Sequence, residues 1–362
     1  MTVWVIAGLL GMATGLRIGW AVVNHRSVVS TAMIIALGSL AVVAALNWYP
    51  LTLLVDTALG WPNIAIGLSQ VALVASATGS CVMITSVAST RQPEVTRRRA
   101  VMQYCFGALI AMVALAFFLA GERQPEMAPR EYLARNLGSA NTALHWLVPL
   151  LYVLLALTLV SWVGMRLSNP SRRGRALFIF TIGSALIVGA SAFLVIRAVG
   201  STALVSVGTA ATLLLSAMAV VAVGSLLPAV EDWVGARREL HLIGPLRREM
   251  ARRHRDIGIG VRPRGPLVFR VAEQLSLISD ALYLEAMRLE AGHSPAPEEY
   301  PEAGATTSEQ ALAVARWIHA DAAAAFPGRG WLRQPLSCSD RDWILEIARQ
   351  YRSLATDSPS LC

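Results

Sequence analysis

Long apolar stretches separated by short polar segments fill most of the chain up to residue 227. Seven stretches approach or exceed the length of about 20 residues that a helix needs to cross a bilayer core: residues 3–23, 29–46, 63–88, 101–120, 144–165, 176–198 and 202–227. This pattern predicts a polytopic bundle of about seven transmembrane helices. The first stretch has no basic leading segment and contains Arg17, so we expect a retained helix and not a cleaved signal peptide.

After residue 227 the apolar residues recur at spacings of three, four and seven, which are helical spacings. Four helices are predicted: 231–255, interrupted or bent at Pro245; 266–291; 307–326, with Thr307 and Gln310 as a capping box; and one that starts at Ser339. A linker rich in Pro, Glu and Gly is expected at 292–306. The predicted fold class is therefore all-α, with a membrane helix bundle at 1–228 and a helical cytoplasmic domain at 229–362.

Composition supports a membrane protein. Hydrophobic residues make up 55% of the chain and charged residues only 15%, against about 25% charged residues in soluble domains. All 31 basic residues are Arg, and 14 of them precede residue 228, where only 5 acidic residues occur. The basic excess therefore lies in the short loops between spans, which indicates a topology signal and disfavours a nucleic-acid surface.

Arg-rich loops alternate with loops that have no Arg excess. Arg26, the loops 89–100 and 166–175, and the segment after 227 carry the excess, whereas 47–62 has none and 121–143 has three Arg against three Glu. Because excess Arg marks the cytoplasmic side, the N-terminus is predicted outside. The C-terminus is predicted in the cytoplasm, and the bundle is predicted to lie in the plasma membrane.

Three ionisable residues of the membrane half are functional candidates. Arg17 and Arg197 lie within apolar spans, where they either extend to the membrane surface or serve a function. Asp56 lies in the 47–62 segment, which is flanked by Trp and Tyr. This segment is predicted to be a short helix on the outer surface, and the alternative is a ligand mouth around Asp56.

Acidic residues are missing at mid-depth in the predicted spans. Their absence disfavours a proton-coupled antiporter and an intramembrane aspartyl protease, since both need buried carboxylates. A facilitator or a lipid transporter stays open.

Small residues recur four apart in three spans, which favours close helix packing. The three stripes are Gly11, Gly15 and Gly19; Ala72, Ser76 and Ser80; and Gly208, Thr212, Ser216 and Gly224. Pro149 is expected to kink the fifth span, and His145 to lie at the membrane interface.

The helix after the last span is strongly basic, which is typical of a contact with anionic lipid of the inner leaflet. The alternative is a solvated helix face. Nucleic acid is disfavoured because no aromatic residues alternate with the Arg. The predicted contact residues are Arg237, Arg238, Arg247, Arg248, Arg252 and Arg253.

Catalytic motifs are missing from the sequence. It has no Gly-rich phosphate loop, nucleophile elbow or zincin motif, and its 4 cysteines lack metal-ligand spacing. We therefore expect no enzyme activity, no catalytic residue, no cofactor and no metal.

The sequence resembles a family of actinobacterial membrane proteins that have seven N-terminal helices and a C-terminal domain of unknown function, and that carry a transporter label. The likeness covers essentially the whole chain, and Arg247 and Leu277 depart from the family pattern. It lies in short motifs: Leu242-Ile243-Gly244-Pro245-Leu246, Ile257-Gly258-Ile259, Arg270, Ile278-Ser279-Asp280-Ala281-Leu282, and Trp343-Ile344-Leu345 followed by Ala348-Arg349 and Tyr351-Arg352. The resemblance implies many spans and assigns no functional residue.

Two functions remain in contention. In the first, the bundle is a membrane-anchored sensor or regulator and the cytoplasmic helices bind a protein partner, which suits spans without carboxylates and a sizeable domain attached to the last span. In the second, the bundle transports a small molecule or a lipid. The lack of an evident internal repeat weighs mildly against transport.

Overall fold

The computed structural model describes residues 2–23, 27–89, 92–137, 143–199, 206–254, 267–291, 306–320 and 326–357. Within these ranges the chain forms α-helices and one short 3-10 helix (Arg329–Leu332), without a strand. The α-helices are α1 (Thr2–Val23), α2 (Val28–Leu46), α3 (Tyr49–Leu59), α4 (Ile64–Val87), α5 (Pro93–Ala120), α6 (Pro129–Asn136), α7 (Ala143–Leu167), α8 (Arg172–Val199), α9 (Val207–Arg253), α10 (Leu267–Ala291), α11 (Thr307–Ala320) and α12 (Asp340–Asp357).

In the described part of the chain, seven helices are long and apolar enough to cross a membrane: α1, α2, α4, α5, α7, α8 and α9. The protein is therefore an all-α, multi-pass membrane protein with further helices after the seventh span, and the predicted fold class is confirmed. Arg26, Arg91, the motif at 257–259 and nearly all of the linker predicted at 292–306 lie outside the described residues.

Some helices extend beyond the apolar stretches that predicted them. α5 begins at Pro93, so the helix includes Arg97, Arg98 and Arg99, which the pattern assigned to a loop. Pro suits the first turn of a helix, where its missing N–H would have no helical partner, and Glu94 complements the positive helix end. Hydropathy marks the apolar part of such a helix and not its polar first turns.

α4 is the most buried of the seven spans. It packs against α2, α5 and α7, and α2 packs in turn against α1. A Cβ atom on Gly79 would lie only 2.8 Å from the backbone nitrogen of Ala36, so glycine is required where α4 meets α2. Ser76 strengthens this contact by donating its hydroxyl to the carbonyl of Ala36 at 2.9 Å.

The three small-residue stripes have different outcomes. Ala72, Ser76 and Ser80 are buried in the bundle, as predicted. Gly11, Gly15 and Gly19 have no atom of another helix near their Cβ positions among the described residues. In α9 only Gly224 of the stripe packs closely, and its Cβ would meet the Phe180 nitrogen at 2.7 Å. The spacing alone did not distinguish packed stripes from exposed ones.

α9 is one uninterrupted helix of 47 residues. The sequence predicted a span at 202–227 and a separate helix at 231–255, interrupted or bent at Pro245, and both the separation and the interruption were wrong. Proline costs an interior helix about 3 kcal/mol, but apolar residues on both sides of Pro245 are fully buried: Ile243 and Leu246. Tertiary packing thus outweighs the local penalty.

The chain divides into two compact units, Met1–Pro228 and Ala229–Cys362. In the second unit, α9, α10, α11, α12 and the 3-10 helix contribute to a single apolar core. Trp317 and Trp343 are its largest fully buried side chains. The Trp343 indole donates to the Leu332 carbonyl at 3.3 Å, so its polar edge is also satisfied.

The capping box of α11 lies one residue before the predicted one. Thr306 donates its backbone N–H and its hydroxyl to the Glu309 carboxylate, each at 2.8 Å, and the Glu309 N–H donates back to the Thr306 hydroxyl at 3.3 Å. Gln310, assigned to the cap from sequence, is buried and donates to the carbonyls of Trp331 and Arg333, each at 2.9 Å. It thereby fixes the 3-10 helix against α11.

Candidate functional site

A cavity of about 80 Å³ lies in the first unit, at the end of the bundle where α2 ends and α4 begins. Residues of α2, α4, α6, α7, α8 and α9 line it, and most of them are Leu, Val or Ile. Among the described residues that line it, none has an ionisable side chain. Small-molecule sites typically combine such an apolar wall with a few polar groups that fix orientation.

Gln70 supplies the main polar group of this cavity. Its side chain is 8% exposed, and neither amide atom has a hydrogen-bond partner among the described residues. A buried amide without partners costs about 1–3 kcal/mol by mutational measures. Asn47 also lines the cavity, but its side-chain amide has a hydrogen-bond partner: it donates to the Val43 carbonyl at 2.7 Å.

Trp146 is a second polar contributor to the cavity wall. It is 5% exposed, and its indole N–H lacks an acceptor in the part of the chain that the structure describes. The rings of His145 and Tyr132 lie 5.1 and 6.4 Å from the Trp146 ring and hold the indole in place. Pro149 follows one turn later, and α7 continues through it.

His145 is buried beside Trp146 and packs edge-on against Phe118, with ring centroids 6.3 Å apart. Sequence reasoning expected an interface side chain at this position. The structure places it in an aromatic cluster with Phe118, Tyr132 and Trp146, and its position at the membrane interface stays a prediction. Burial raises the pKa of the Tyr132 phenol.

Asp56 is not among the residues that line the cavity. Its carboxylate accepts the backbone N–H groups of Ala65 at 2.8 Å and Asn63 at 3.0 Å, and the side chain is only 3% exposed. Burial raises the pKa of Asp56, and the two backbone donors partly oppose that rise. Asp56 therefore caps the first turn of α4, and a ligand mouth around it finds no support in this geometry.

Asn63 connects this cap to the segment between α5 and α6. It has a left-handed backbone with φ of 63°. Its side chain donates to the carbonyls of Pro125 and Gln124 at 3.0 and 3.3 Å and accepts the Met127 N–H at 3.1 Å. Three backbone groups of one segment are thus fixed by a single amide.

Further contacts secure the same segment. Arg123 stacks over the Trp61 ring at 3.9 Å, and the amides of Gln124 and Asn136 exchange hydrogen bonds at 2.7 and 2.8 Å. The segment leads into α6, which contributes Pro129 and Leu133 to the cavity wall. The network therefore fixes one side of the cavity.

Two polar residues of α3 are buried, and most of its exposed side chains are apolar. Thr52 and Asp56 are buried, and Thr52 donates to the Leu46 carbonyl at 2.7 Å. Apart from Thr57, the large exposed side chains are apolar: Tyr49, Leu53, Leu54 and Leu59, with Trp48 just before the helix. The short helix expected from sequence is confirmed, and its apolar exposed face suits the predicted position at the membrane surface.

Arg17 and Arg197 lie in the last two turns of α1 and α8 and are half-buried. Neither of them lines the cavity. The structure therefore does not bring the three ionisable candidates of the membrane half together.

The arginines predicted to contact lipid fall into two groups. Arg237, Arg238, Arg248 and Arg252 are exposed, and Arg237 lies over the Trp233 ring at 5.3 Å. Arg247 is half-buried and donates to Gln274 at 3.5 Å. The exposed group keeps the predicted role as a proposal.

Arg253 has a structural role, which corrects the sequence prediction. Its side chain is 11% exposed and donates to Glu249 at 2.8 Å, to Glu285 at 3.4 Å and to the Ile318 carbonyl at 2.7 Å. Burial opposes ionisation of Glu249, but the hydrogen bonds from Arg253 and Arg252 outweigh it and lower the pKa of Glu249. Arg253 joins α9, α10 and α11 and is not available to lipid.

Sequence reasoning missed Gln70 and Trp146. A signal for Gln70 was present, because it is an amide in the apolar stretch 63–88. Periodicity could not reveal which neighbours it would lack, and only the packing shows that no described residue satisfies it. Across the described ranges no cluster of three or more His, Cys, Asp or Glu side chains could hold a metal ion.

Comparison of the chain with protein-family models, with curated proteins and with solved structures found no match.

Proposed function

We propose that the protein is a membrane-anchored sensor or regulator that acts through its C-terminal helical unit in the cytoplasm. The observation that carries this proposal is the continuity of α9. Its first half contributes Met218 and Val221 to the core of the bundle, and its second half contributes Ile243 and Met250 to the core of the C-terminal unit. A displacement of α9 within the bundle would therefore act directly on the C-terminal core.

The distribution of Arg supports the cytoplasmic location. The first turns of α5, the last turn of α7 with the first turn of α8, and the α9 segment after Pro228 all carry excess Arg, which marks the cytoplasmic side of a plasma membrane. Trp162 and Trp233 stand next to Arg166 and Arg237, each pair one helical turn apart and in ring contact. Such Trp and Arg pairs suit the boundary between acyl chains and head groups.

Anionic lipid of the inner leaflet is the proposed surface partner. Arg237, Arg238 and Arg248 are exposed on α9. Each Arg near an anionic surface contributes about 1 kcal/mol, and the contribution decays over about a Debye length. Arg253 is excluded from this set because its charge is neutralised inside the C-terminal unit.

A cytoplasmic protein is the second proposed partner. The C-terminal unit exposes several large apolar side chains of α10, among them Phe269, Leu284 and Met287. Exposed apolar side chains in one region often mark a protein contact.

The test uses the full-length chain purified in mild detergent from its native cells, beside a chain truncated after Pro228. A sensor should retain a cytoplasmic protein that the truncated chain loses. Inserting two Ala after Pro228 rotates the rest of α9 by about 200° relative to the bundle and should alter that retention. Equal recovery from the full and truncated chains would contradict the proposal.

Transport of a small molecule or lipid is the alternative, and the cavity in the bundle is the observation that favours it. Uptake of a solute or movement of a labelled lipid in vesicles containing the purified chain would support transport. The truncated chain should transport equally well, since it retains every cavity-lining residue.

A further inference from the structure

We propose that the cavity beside Gln70 is a binding site for a small uncharged molecule that carries a hydrogen-bond donor next to an acceptor. Primary amides, lactams and protonated carboxylic acids have this chemistry. The inference names what a sensor would bind. Binding itself does not depend on the proposed function, but the effect of binding on the C-terminal unit rests on it.

The amide of Gln70 defines the ligand group. A primary carboxamide offers a donor and an acceptor side by side, so it pairs through two parallel hydrogen bonds with a group of the same kind. Both of its polar atoms are buried without a partner among the described residues. The Trp146 indole, also buried and without an acceptor there, can donate a third hydrogen bond.

The rest of the wall sets charge and size. Its described residues include no ionisable side chain, so a charged ligand would lose its hydration without compensation. Leu73, Leu150 and Leu214 offer only apolar contact. The volume of 80 Å³ is smaller than the roughly 150 Å³ of a cavity that holds benzene, so the enclosed part of the ligand has only a few non-hydrogen atoms.

Asn47 shows why Gln70 differs from an ordinary buried amide. Asn47 lies on the same cavity and donates to a carbonyl of its own helix. Gln70 has a longer side chain that could also bond within its helix, but it does not. The free amide is thus a feature of this position and not of amides in this bundle.

The experiment compares three isosteric probes on the full-length protein in nanodiscs, by saturation-transfer NMR. Propionamide offers a donor and an acceptor, butanone an acceptor only, and propionate a charge. Propionamide should bind in saturable fashion, about tenfold more tightly than butanone because of the additional hydrogen bond. Propionate should not bind.

The variant Gln70→Met keeps the size and flexibility of the side chain and removes the amide. It should weaken propionamide binding about tenfold more than butanone binding, because propionamide loses two hydrogen bonds and butanone, which has only an acceptor, loses one. Gln103→Met is the matched control, because Gln103 lies on α5 outside the cavity. It should bind both probes like the parent protein. Leu214→Phe, which fills the cavity, should abolish binding of both.

Equal binding of propionamide and butanone, or equal propionamide binding by the Gln70→Met and Gln103→Met variants, would overturn the inference and leave a hydrated cavity. Octanamide identifies the source of the ligand: tighter binding than propionamide supports a lipid-derived molecule, and weaker binding supports a free solute. Failure of these probes would not affect the co-purification test, which needs no ligand.

Discussion

The carboxylate of Asp56 accepts the backbone N–H of Ala65 at 2.8 Å, across the turn that joins α3 to α4. Four N–H groups at the start of any helix lack helical partners. α4 is the most buried span, so its first turn needs acceptors supplied by the protein. Asp56 supplies them for Ala65 and Asn63 and explains why a carboxylate is buried in an apolar segment.

Replacing Asp56 by Ala should destabilise the protein by about 2 kcal/mol, because it removes a helix cap and leaves two buried N–H groups without acceptors. Thermal unfolding in detergent measures this change. Glu126→Ala, at an exposed position between α5 and α6, serves as control and should shift the midpoint little. An equal shift in both variants would contradict the capping role.

Asn63 permits a separation of backbone and side-chain effects. Asn63→Gly retains access to φ of 63° but loses the bonds to Gln124, Pro125 and Met127. Asn63→Ala loses the same bonds and adds strain of about 1–2 kcal/mol. We expect both variants to unfold at a lower temperature than the parent protein, and Asn63→Ala at a lower temperature than Asn63→Gly. Unfolding at the same temperature would show that the left-handed backbone carries no cost here.

Arg253 and Arg252 form a matched pair, since both bind Glu249. Arg253 is 11% exposed and Arg252 is 67% exposed. Arg253→Met should destabilise the C-terminal unit by about 3 kcal/mol, because buried partners lose their counter-charge. Arg252→Met should cost under about 1 kcal/mol. Hydrogen exchange of α10 and α11 in the full chain reports the difference. Similar exchange in both variants would contradict the role of Arg253 in joining α9, α10 and α11.

The exposed arginines of α9 should determine retention of anionic lipid. Changing Arg237, Arg238 and Arg248 to Gln should reduce the anionic lipid that remains on the purified protein, and high salt should reduce it in the parent protein. Changing Arg316, Arg333 and Arg349 to Gln alters the net charge equally and should have no such effect. Identical lipid content in the two triple variants would rule out a lipid contact on α9.

Topology can be tested by labelling single cysteines in a background without the native ones. A cysteine replacing Glu126 should react with an impermeant reagent outside the cell, and one replacing Pro170 should react only after the membrane is opened. Both positions are exposed in the structure. The reverse pattern would invert the orientation and move the C-terminal unit to the outside.

The sequence determined the spans and the helical character of the C-terminal unit. Apolar runs of the right length and helical periodicity both reflect local chemistry: a helix satisfies its own backbone in lipid, and one apolar face must be buried. α10 lies at Leu267–Ala291, within one residue of the predicted start. The predicted helix boundaries were less accurate where polar turns extend a helix, as in α5, which begins at Pro93.

Only the tertiary structure decided which polar groups are satisfied. Arg252 and Arg253 are adjacent in sequence, but one is exposed and the other is held by α10 and α11. The Asp56 carboxylate caps α4 by accepting the Ala65 N–H. Gln70 lies on the same helix, but its side-chain amide has no hydrogen-bond partner among the described residues. The hydrogen-bond partner of a buried side chain is a property of neighbouring helices, and their approach depends on packing that periodicity in a single segment does not encode.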